Sequence, residues 1–319
     1  MCAYRYKPID VQGIRTRSIH KREAKVHIQD FAKTYEKGRG VSGLLRSFPE
    51  ILAGREFRKL IIALRQAREK GRAIIWGLGG HVVKCGLGAV LVDLMERGFV
   101  TMFALNGSAA IHDFEVALAG STSEEVEREL LDGDFGMSEE TGEWMNQAIR
   151  AGTDAGIGIG EALGLYMNEH ADRFPHSRFS LLKNSYSAGI PVTVHVAIGT
   201  DTIHNHPDAS GSALGQGSLQ DFRLLTSVLR DLHGGGVYLN CGSAVVLPEV
   251  FLKAFSLVRN LGHPLEAFTT ANLDFLQHYR PTQNVLRRPV LKSGQGIALT
   301  GHHELMLPLL AAVLIESST

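Results

Sequence analysis

Residues 73–80 read Ala-Ile-Ile-Trp-Gly-Leu-Gly-Gly, and residues 99–108 read Phe-Val-Thr-Met-Phe-Ala-Leu-Asn-Gly-Ser. Each stretch is a short, strand-favouring apolar run that stops at a turn containing glycine. A helix with apolar residues at helical spacing follows each turn; the first ends at Gly98 and the second begins near Ala109. Strand, turn and helix in this order are typical of a parallel sheet covered by helices.

The same alternation returns near residue 190 and continues to the end of the chain. Further strands are predicted at 190–198, 236–241, 265–271 and 296–300, with helices at 218–233, 247–261 and 303–316. Residues 1–50 are predicted to be an N-terminal arm with short helices, and residues 51–319 to be one α/β domain. Residues 121–185 interrupt the alternation and are predicted to form a helical insertion. The whole order predicts a Rossmann-like, doubly wound, mostly parallel sheet.

Composition narrows the class of partner. Lys plus Arg and Asp plus Glu each number 33, so the net charge is zero and no global field favours nucleic acid or an anionic membrane. Three scattered cysteines do not make a disulfide framework, which favours a reducing compartment. No signal-peptide core and no membrane-spanning apolar segment stands out. We therefore expect a cytoplasmic protein that acts on a small molecule.

Glycine runs and cysteines each admit a functional and a structural interpretation. The run 77–80 lies between a strand and a helix, where its amides can meet a phosphate, but Val82 replaces the third glycine of a dinucleotide fingerprint. A tight turn explains that run about as well. The glycine run 156–160 follows no strand and predicts close helix packing. Cys85 and Cys241 are potential nucleophiles, although small buried cysteines are commoner.

Histidines and carboxylates cluster after the predicted strands. The groups are His112-Asp113, then Asp201 with His204, His206 and Asp208, then His302-His303-Glu304. Because the carboxyl ends of parallel strands share one edge of a sheet, these groups are expected near that edge. They can bind zinc or a similar ion, or act as acids and bases near neutral pH. Exposed or helix-capping histidines are the alternative, since no His-Glu-x-x-His spacing occurs.

Several short segments between residues 80 and 315 resemble deoxyhypusine synthase in their order and spacing. They are Cys85-Gly86-Leu87, 105–113, Gly189–Val192, Thr200-Asp201, Thr270-Ala271 with Asp274, Arg280-Pro281 and Leu305–Leu310. That family uses NAD to move a butylamine group from spermidine onto a lysine of a translation factor, and it assembles as tetramers. The resemblance implies a Rossmann-like fold, an NAD pocket and a homotetramer.

The resemblance also implies which residues form the site. Cofactor binding is expected at Asn106, Gly107, Thr200, Asp201, Thr270 and Asp274, with the aspartates accepting hydrogen bonds from ribose hydroxyls. The acid/base or substrate-orienting set is expected to be His112, His204, His206 and His302. Three of these histidines, His112, His206 and His302, stand where the family has acidic residues. This exchange favours an anionic substrate or a metal over a polyamine.

The family's reactive lysine has no counterpart at its usual place. Nine residues after Arg280 the chain has Pro289, and the nearest lysine is Lys292. Without an amine that forms the covalent imine, the family's transfer cannot proceed as usual, so Lys292 would have to reach the pocket.

Three functional hypotheses follow. The first is a divergent deoxyhypusine-synthase-like enzyme with NAD, a transferase or an oxidant of a C–N or C–O bond in a small substrate. The second is a metal-dependent enzyme with a divalent ion such as zinc on His204, His206 and His302. The third is a non-catalytic relative that retains the fold.

Overall fold

The computed structural model describes residues 4–316, which form an α/β fold around one six-stranded, all-parallel sheet. The strands are β1 Ile74–Leu78, β2 Met102–Asn106, β3 Val192–His195, β4 Val237–Cys241, β5 Phe268–Asp274 and β6 Gly294–Thr300. They lie in the order β3-β2-β1-β4-β5-β6. This is the order of doubly wound nucleotide-binding sheets, and the predicted Rossmann-like fold is confirmed.

Twelve α-helices surround the sheet in residues 4–316. They are α1 Gly40–Ser47, α2 Leu52–Glu69, α3 Gly80–Lys84, α4 Gly88–Glu96, α5 Gly107–Ala119, α6 Val126–Asp132, α7 Glu139–Asp154, α8 Ile159–Glu169, α9 Leu181–Ala188, α10 Gly211–Leu229, α11 Val246–Asn260 and α12 His303–Glu316. Short 3₁₀ helices add Ile19–Lys21, Ile28–Asp30, Ala171–Arg173, Ser177–Phe179, Thr202–Asn205 and Arg230–Leu232, and Pro281–Arg287 is a π-helix. None of the helices in this part of the chain is both long and apolar enough to cross a bilayer.

Strand β1 lies at the centre of the sheet and is buried along its whole length. Because side chains alternate across a strand, Ile74 and Trp76 pack into the core on one face while Ile75 packs into the core on the other. The Trp76 indole N–H donates to the carbonyl of Phe99 at 3.0 Å. The two cores explain why the central strands are continuously apolar rather than alternating.

Strand β5 is shifted relative to its predicted span. The sequence predicts a strand at 265–271, whereas the strand runs from Phe268 to Asp274. The polar residues near its end do not stop it, because the Asn240 side-chain amide donates to Asn272 Oδ1 at 2.7 Å and Asn272 donates to Gln277 at 2.8 Å. This extension places Thr270 inside the strand and Asp274 at its carboxyl end.

The helical insertion packs against the β3 side of the sheet. Gly160, from the run 156–160, approaches the sheet so closely that an added Cβ would lie 2.0 Å from the carbonyl oxygen of Val192. The run therefore serves close packing, as its sequence context predicts. Asp221 of α10 supports the same junction by accepting hydrogen bonds from the backbone N–H groups of Gly160 and Val194.

The N-terminal segment differs from the rest of the described chain. Residues 4–39 contain only two 3₁₀ helices and are almost entirely exposed, apolar side chains such as Tyr6, Ile9 and Phe31 included. Helix α1 then contacts α12, where Glu316 accepts hydrogen bonds from the backbone of Val41 and Ser42.

Candidate functional site at the carboxyl edge of the sheet

The strand order reverses between β1 and β4, and ligands of doubly wound sheets bind outside the carboxyl ends of the strands at such a point. The loops that follow β1 and β4 touch here. Gly79 N–H donates to the carbonyl of Cys241 at 2.9 Å, and a Cβ on Gly79 would lie 2.0 Å from the carbonyl oxygen of Gly242. These glycines therefore serve loop packing, and the polar groups gather on either side of the contact.

A cavity of about 240 Å³ opens beside the end of β2. Its lining comes from α3, α5, the loop after β3 and the first residues of the insertion, which contribute the polar Ser123 and Glu124 as well as the apolar Val126 and Phe135. The lining residues are Lys84, Ser108, Ile111, His112, Glu115, Ser123, Glu124, Val126, Phe135, Thr200, Asp201 and Thr202. We call this space the β2 cavity.

Asp201 is the most unusual group of the β2 cavity. It comes from the loop after β3, yet its carboxylate reaches the end of β2, where a Cβ on Gly107 would lie 2.0 Å from Asp201 Oδ2. Only a glycine fits beneath the carboxylate. Burial raises the pKa of Asp201 to about 6, and Oδ2 has no hydrogen-bond partner within residues 4–316. A buried carboxylate oxygen without a partner is costly to the folded state and needs an explanation.

His204 lies next to this carboxylate, and one of its ring nitrogens also lacks a hydrogen-bond partner among the described residues. Its Nδ1 accepts hydrogen bonds from the backbone N–H groups of Gly199 and Asp201 at 3.1 and 3.3 Å. The ring is therefore neutral, with its proton on Nε2. Burial lowers the pKa of His204, which also favours the neutral ring. Nε2 is buried and unpartnered among the described residues, 3.9 Å from Asp201 Oδ2.

His112 belongs to a short hydrogen-bonded chain on the opposite wall. The Thr122 hydroxyl donates to Glu115 Oε2, so the 2.6 Å contact between Thr122 Oγ1 and His112 Nδ1 requires a proton on Nδ1. Burial acts to raise the pKa of Glu115, but hydrogen bonds from His112, Thr122 and Thr141 outweigh it and lower that pKa. Glu115 is thus an anion that orients His112.

A second cluster lies on the other side of the switch point, where the end of α3 meets the first turn of α12. Cys85 Sγ is 3.3 Å from His81 Nε2 and 3.7 Å from Glu304 Oε2. Within residues 4–316, His81, Cys85 and Glu304 are the only three His, Cys, Asp or Glu residues whose ligand atoms all lie within 4.8 Å of one another. Burial and the Glu304 carboxylate raise the pKa of the Cys85 thiol. We call these three residues the Cys85 cluster.

His303 stands behind the Cys85 cluster. Its ring is fully buried, 6.0 Å from the ring of His81, and neither ring nitrogen has a hydrogen-bond partner among the described residues. Burial lowers the pKa of His303, although the Asp274 carboxylate acts in the opposite direction. Phe275, half-exposed, forms an apolar wall with its ring 6.0 Å from that of His81.

The predicted cofactor residues divide between these places. Gly107, Thr200 and Asp201 meet at the β2 cavity, and Asn106 caps α5 at its edge by accepting a hydrogen bond from the Ala109 N–H. Asp274 ends β5 on the side of the Cys85 cluster. Thr270 lies inside β5, is fully buried and donates its hydroxyl to the carbonyl of Val285, so it does not reach this edge.

The predicted histidines divide in the same way. His112 lines the β2 cavity, and His204 lies beside Asp201, with its Nε2 3.9 Å from Asp201 Oδ2. His206 turns toward α7, where a Cβ on Gly142 would lie 2.4 Å from its ring. His302 is exposed after β6, four strand spacings from β2, or about 19 Å. The structure thus does not bring His204, His206 and His302 together, and they cannot share one metal ion as the sequence suggests.

Lys292 is also far from the site. It precedes β6 at the amino edge of the sheet, where it is 70% exposed and pairs with Glu266. Crossing β6 to the carboxyl edge takes about 20 Å. Lys292 therefore does not replace the missing family lysine within this chain. Lys84, which lines the β2 cavity, is the lysine that the sequence reasoning missed.

The Cys85 cluster was also missed as a group. His81 and Cys85 are four residues apart where α3 ends, a spacing that puts two side chains on one helix face. That spacing is a signal the sequence does contain. Glu304 and Phe275 carry no local signal, because the fold alone brings them to the cluster. Cys241, by contrast, is buried in β4, where burial raises the pKa of its thiol, which agrees with a packing role.

No protein-family model and no curated protein matches the chain. Among solved structures, a candidate LOR/SDH protein from Methanococcus maripaludis S2 is similar with a TM-score of 0.51 and 17% identity, over 85% of this chain and 72% of that one. A candidate deoxyhypusine synthase from Entamoeba histolytica is similar with a TM-score of 0.52 and 11% identity, over 90% and 97% of the two chains.

AgrE is similar as well. The unliganded protein gives a TM-score of 0.56 at 15% identity, and the ternary complex of AgrE with ornithine and NAD⁺ gives 0.53 at 16% identity. Each comparison covers 86% of this chain but only 35% of AgrE, so this chain spans about a third of that protein's length. At these identities the likenesses establish a shared fold.

Proposed function

We propose that this protein is an NAD-dependent enzyme that oxidises a C–N or C–O bond of a small substrate at the carboxyl edge of the sheet. The observation that carries the proposal is the Asp201 carboxylate at the end of β2. In dinucleotide-binding folds, an acidic side chain following the first βα unit hydrogen-bonds a ribose hydroxyl. Here Asp201, from the loop after β3, places its carboxylate at the end of β2. Its Oδ2 accepts no hydrogen bond from the described residues and could accept one from a ribose hydroxyl.

The rest of the β2 cavity suits an adenosine moiety. Ile111, Val126 and Phe135 supply apolar surface for a base, while His204 Nε2 supplies a second free donor beside the carboxylate. Lys84, on the side of the switch point, supplies positive charge for phosphate. Lys84 would thereby provide part of the phosphate binding that the incomplete glycine fingerprint does not provide.

Asp274 fits the second half of the same ligand. It is three strand spacings from β2, or about 14 Å, which is too far to serve the same ribose as Asp201. A dinucleotide crosses the switch point with one nucleotide on each side. We therefore assign Asp201 to the adenosine half and Asp274 to the nicotinamide half. The reacting substrate would then lie near His303 and the Cys85 cluster.

When bound, NAD would take a hydride from the substrate carbon, and the proton of the adjacent amine or hydroxyl would pass to a ring nitrogen of neutral His303. Around that position His303 offers unpartnered ring nitrogens that can orient a substrate amine or hydroxyl, and Phe275 limits the access of water. The absence of a lysine at the family's place favours oxidation over transfer through an imine. The ornithine and NAD⁺ bound to AgrE, which shares the fold, make a small amine or amino acid the first substrate class to screen.

Calorimetric titration with NAD tests the cofactor assignment. We expect saturable binding to the wild-type chain, with a dissociation constant raised about ten-fold to a hundred-fold in Asp201→Ala, because a charge-assisted hydrogen bond is worth about 1.5–3 kcal/mol. Asp208→Ala is the matched control, since Asp208 is in the same loop but pairs with Arg150 outside the cavity. Absence of binding at millimolar NAD would leave the chain as a fold without this cofactor, in line with a non-catalytic relative.

A further inference from the structure

We propose that the Cys85 cluster is a transition-metal site, for zinc or an ion of similar preference, with His81, Cys85 and Glu304 as its three protein ligands. The ligand set is chemically suitable, because imidazole, thiolate and carboxylate are the groups that hold zinc in proteins. The site is different from the His204, His206 and His302 set that the sequence suggests. It uses no residue of the β2 cavity, so metal binding can be measured without NAD.

The distances fit a tetrahedral ion. Zinc bonds of about 2.3 Å to sulfur and about 2.0–2.2 Å to nitrogen or oxygen keep neighbouring ligands about 3.5 Å apart. The observed separations from Cys85 Sγ are 3.3 Å to His81 Nε2 and 3.7 Å to Glu304 Oε2. The ligand atoms of His81 and Glu304 lie within 4.8 Å of each other, so side-chain rotations that shorten this separation would complete the coordination.

The same geometry argues against a nucleophilic cysteine. In a Cys-His relay the carboxylate orients the far nitrogen of the histidine, while the sulfur contacts only the near one. Here the carboxylate of Glu304 contacts the sulfur itself. A thiol with a histidine on one side and a carboxylate on the other is arranged as a member of a ligand set.

His303 supplies the second observation that points to a ligand. Its ring is fully buried next to that of His81, and both ring nitrogens lack partners among the described residues. A buried polar group of this kind is retained where something else completes its hydrogen bonds. Water or a substrate oxygen on the metal would be a suitable partner for one of these nitrogens.

The exposure of the ligands indicates an open site. His81 and Glu304 are exposed and Cys85 is half-buried, so three protein ligands leave one tetrahedral position accessible. Structural zinc sites are closed by four protein ligands, whereas reactive ones keep such a position free. The free position would take water or the hydroxyl, carbonyl or amine of a small substrate.

Titration of chelator-treated protein with Co²⁺, in the absence of NAD, tests the site directly. We expect one equivalent to bind per chain, with the visible absorption of tetrahedral cobalt and a near-ultraviolet thiolate-to-cobalt band, and Zn²⁺ to displace it. Cys85→Ser should abolish the thiolate band, and His81→Ala and Glu304→Gln should each weaken Co²⁺ binding by about ten-fold or more.

Matched controls make the outcome decisive. Cys241→Ala removes the thiol buried in β4, Cys2→Ser removes one outside the described residues, and His263→Ala removes an exposed histidine that follows α11. None of the three should change the cobalt spectrum or affinity. No saturable Co²⁺ binding by folded wild-type protein, or a thiolate band that survives Cys85→Ser, would overturn the proposal. Neither result would affect the NAD assignment, which is measured separately.

Discussion

Asp113 and Asp201 are two buried carboxylates on the same half of the sheet, and burial raises the pKa of each to about 6. Asp113 is satisfied: it accepts hydrogen bonds from the Ser180 hydroxyl and from the backbone N–H groups of Leu181 and Leu182, at 2.5, 2.6 and 3.1 Å. Asp201 presses against Gly107 with Oδ2 unpartnered. The pKa is therefore the same for different reasons: in Asp113 three hydrogen bonds partly offset the effect of burial, whereas in Asp201 burial acts alone.

The comparison separates a structural carboxylate from one that is prepared for a ligand. Asp113 ties α5 to the start of α9 and so holds the end of the helical insertion against the domain. Asp201 caps only the short 3₁₀ helix Thr202–Asn205, and its burial weakens the folded state at neutral pH. A group that costs stability and sits in a cavity at the ligand-binding edge of the fold is a functional candidate.

The largest expected effect is on the free energy of unfolding, when Asp113 is replaced. Asp113→Ala should lower the free energy of unfolding by about 3–5 kcal/mol, because it leaves three buried donors without an acceptor. Urea denaturation measures this. Asp172→Ala, an exposed aspartate of the same insertion, should stay within about 0.5 kcal/mol of wild type. A small loss in Asp113→Ala would remove the distinction between the two carboxylates.

The next effect concerns the two halves of the ligand. Asp201→Asn should weaken AMP binding by about ten-fold or more and leave nicotinamide mononucleotide unaffected, whereas Asp274→Asn should do the reverse. The physical reason is the separation of about 14 Å between the ends of β2 and β5. Competition against labelled NAD measures both ligands. If one variant weakened both mononucleotides equally, the assignment of each aspartate to its own ribose would be wrong.

A third effect is on the pH dependence of NAD binding. A ribose hydroxyl donates best to an ionised carboxylate, and in the free protein the pKa of Asp201 is about 6. Lowering the pH from 7.5 to 5 should therefore raise the NAD dissociation constant about ten-fold, since about one Asp201 in ten stays ionised at pH 5. The residual binding of Asp201→Asn should not share this change. A wild-type affinity that is equal at the two pH values would contradict the role of Asp201.

A fourth effect is on stability. Because the pKa of Asp201 is higher in the folded chain than in the unfolded one, the folded state binds more protons between about pH 4 and 6, and this contribution to stability falls as the pH rises through that window. Asp201→Asn removes the ionised form, so it should raise the free energy of unfolding by about 1–3 kcal/mol at pH 7.5 and by nothing at pH 4. Thermal unfolding of both proteins at the two pH values measures this difference. A variant less stable than wild type at pH 7.5 would contradict the prediction.

The fold could be predicted from the sequence because it depends on local sequence patterns that recur along the chain. The apolar runs near residues 73 and 99, each followed by a glycine turn and an amphipathic helix, are sufficient to predict a parallel sheet. The span of β5 was less accessible, because Asn272 looks like a strand terminator until its pairing with Asn240 is known.

The candidate site could be predicted from the sequence only in part. Strand ends indicate which residues reach the edge, and His112, Asp201 and His204 do lie there. The lateral order of the strands decides which of them meet: His204 follows β3 and His302 follows β6, the two edge strands, which are five strand spacings or about 24 Å apart. The reach of Asp201 from the β3 loop to Gly107, and the meeting of Cys85 with Glu304, depend on loop conformations that have no sequence period.

A crystal structure of the protein with NAD bound tests the central claim most directly. The account predicts the adenosine ribose at the end of β2, with a hydroxyl within hydrogen-bond distance of Asp201 Oδ2 and the base against Phe135 and Val126. It also predicts the nicotinamide half beyond the switch point, near Asp274. NAD bound elsewhere, or bound at this edge with Asp201 Oδ2 still unpartnered, would contradict it.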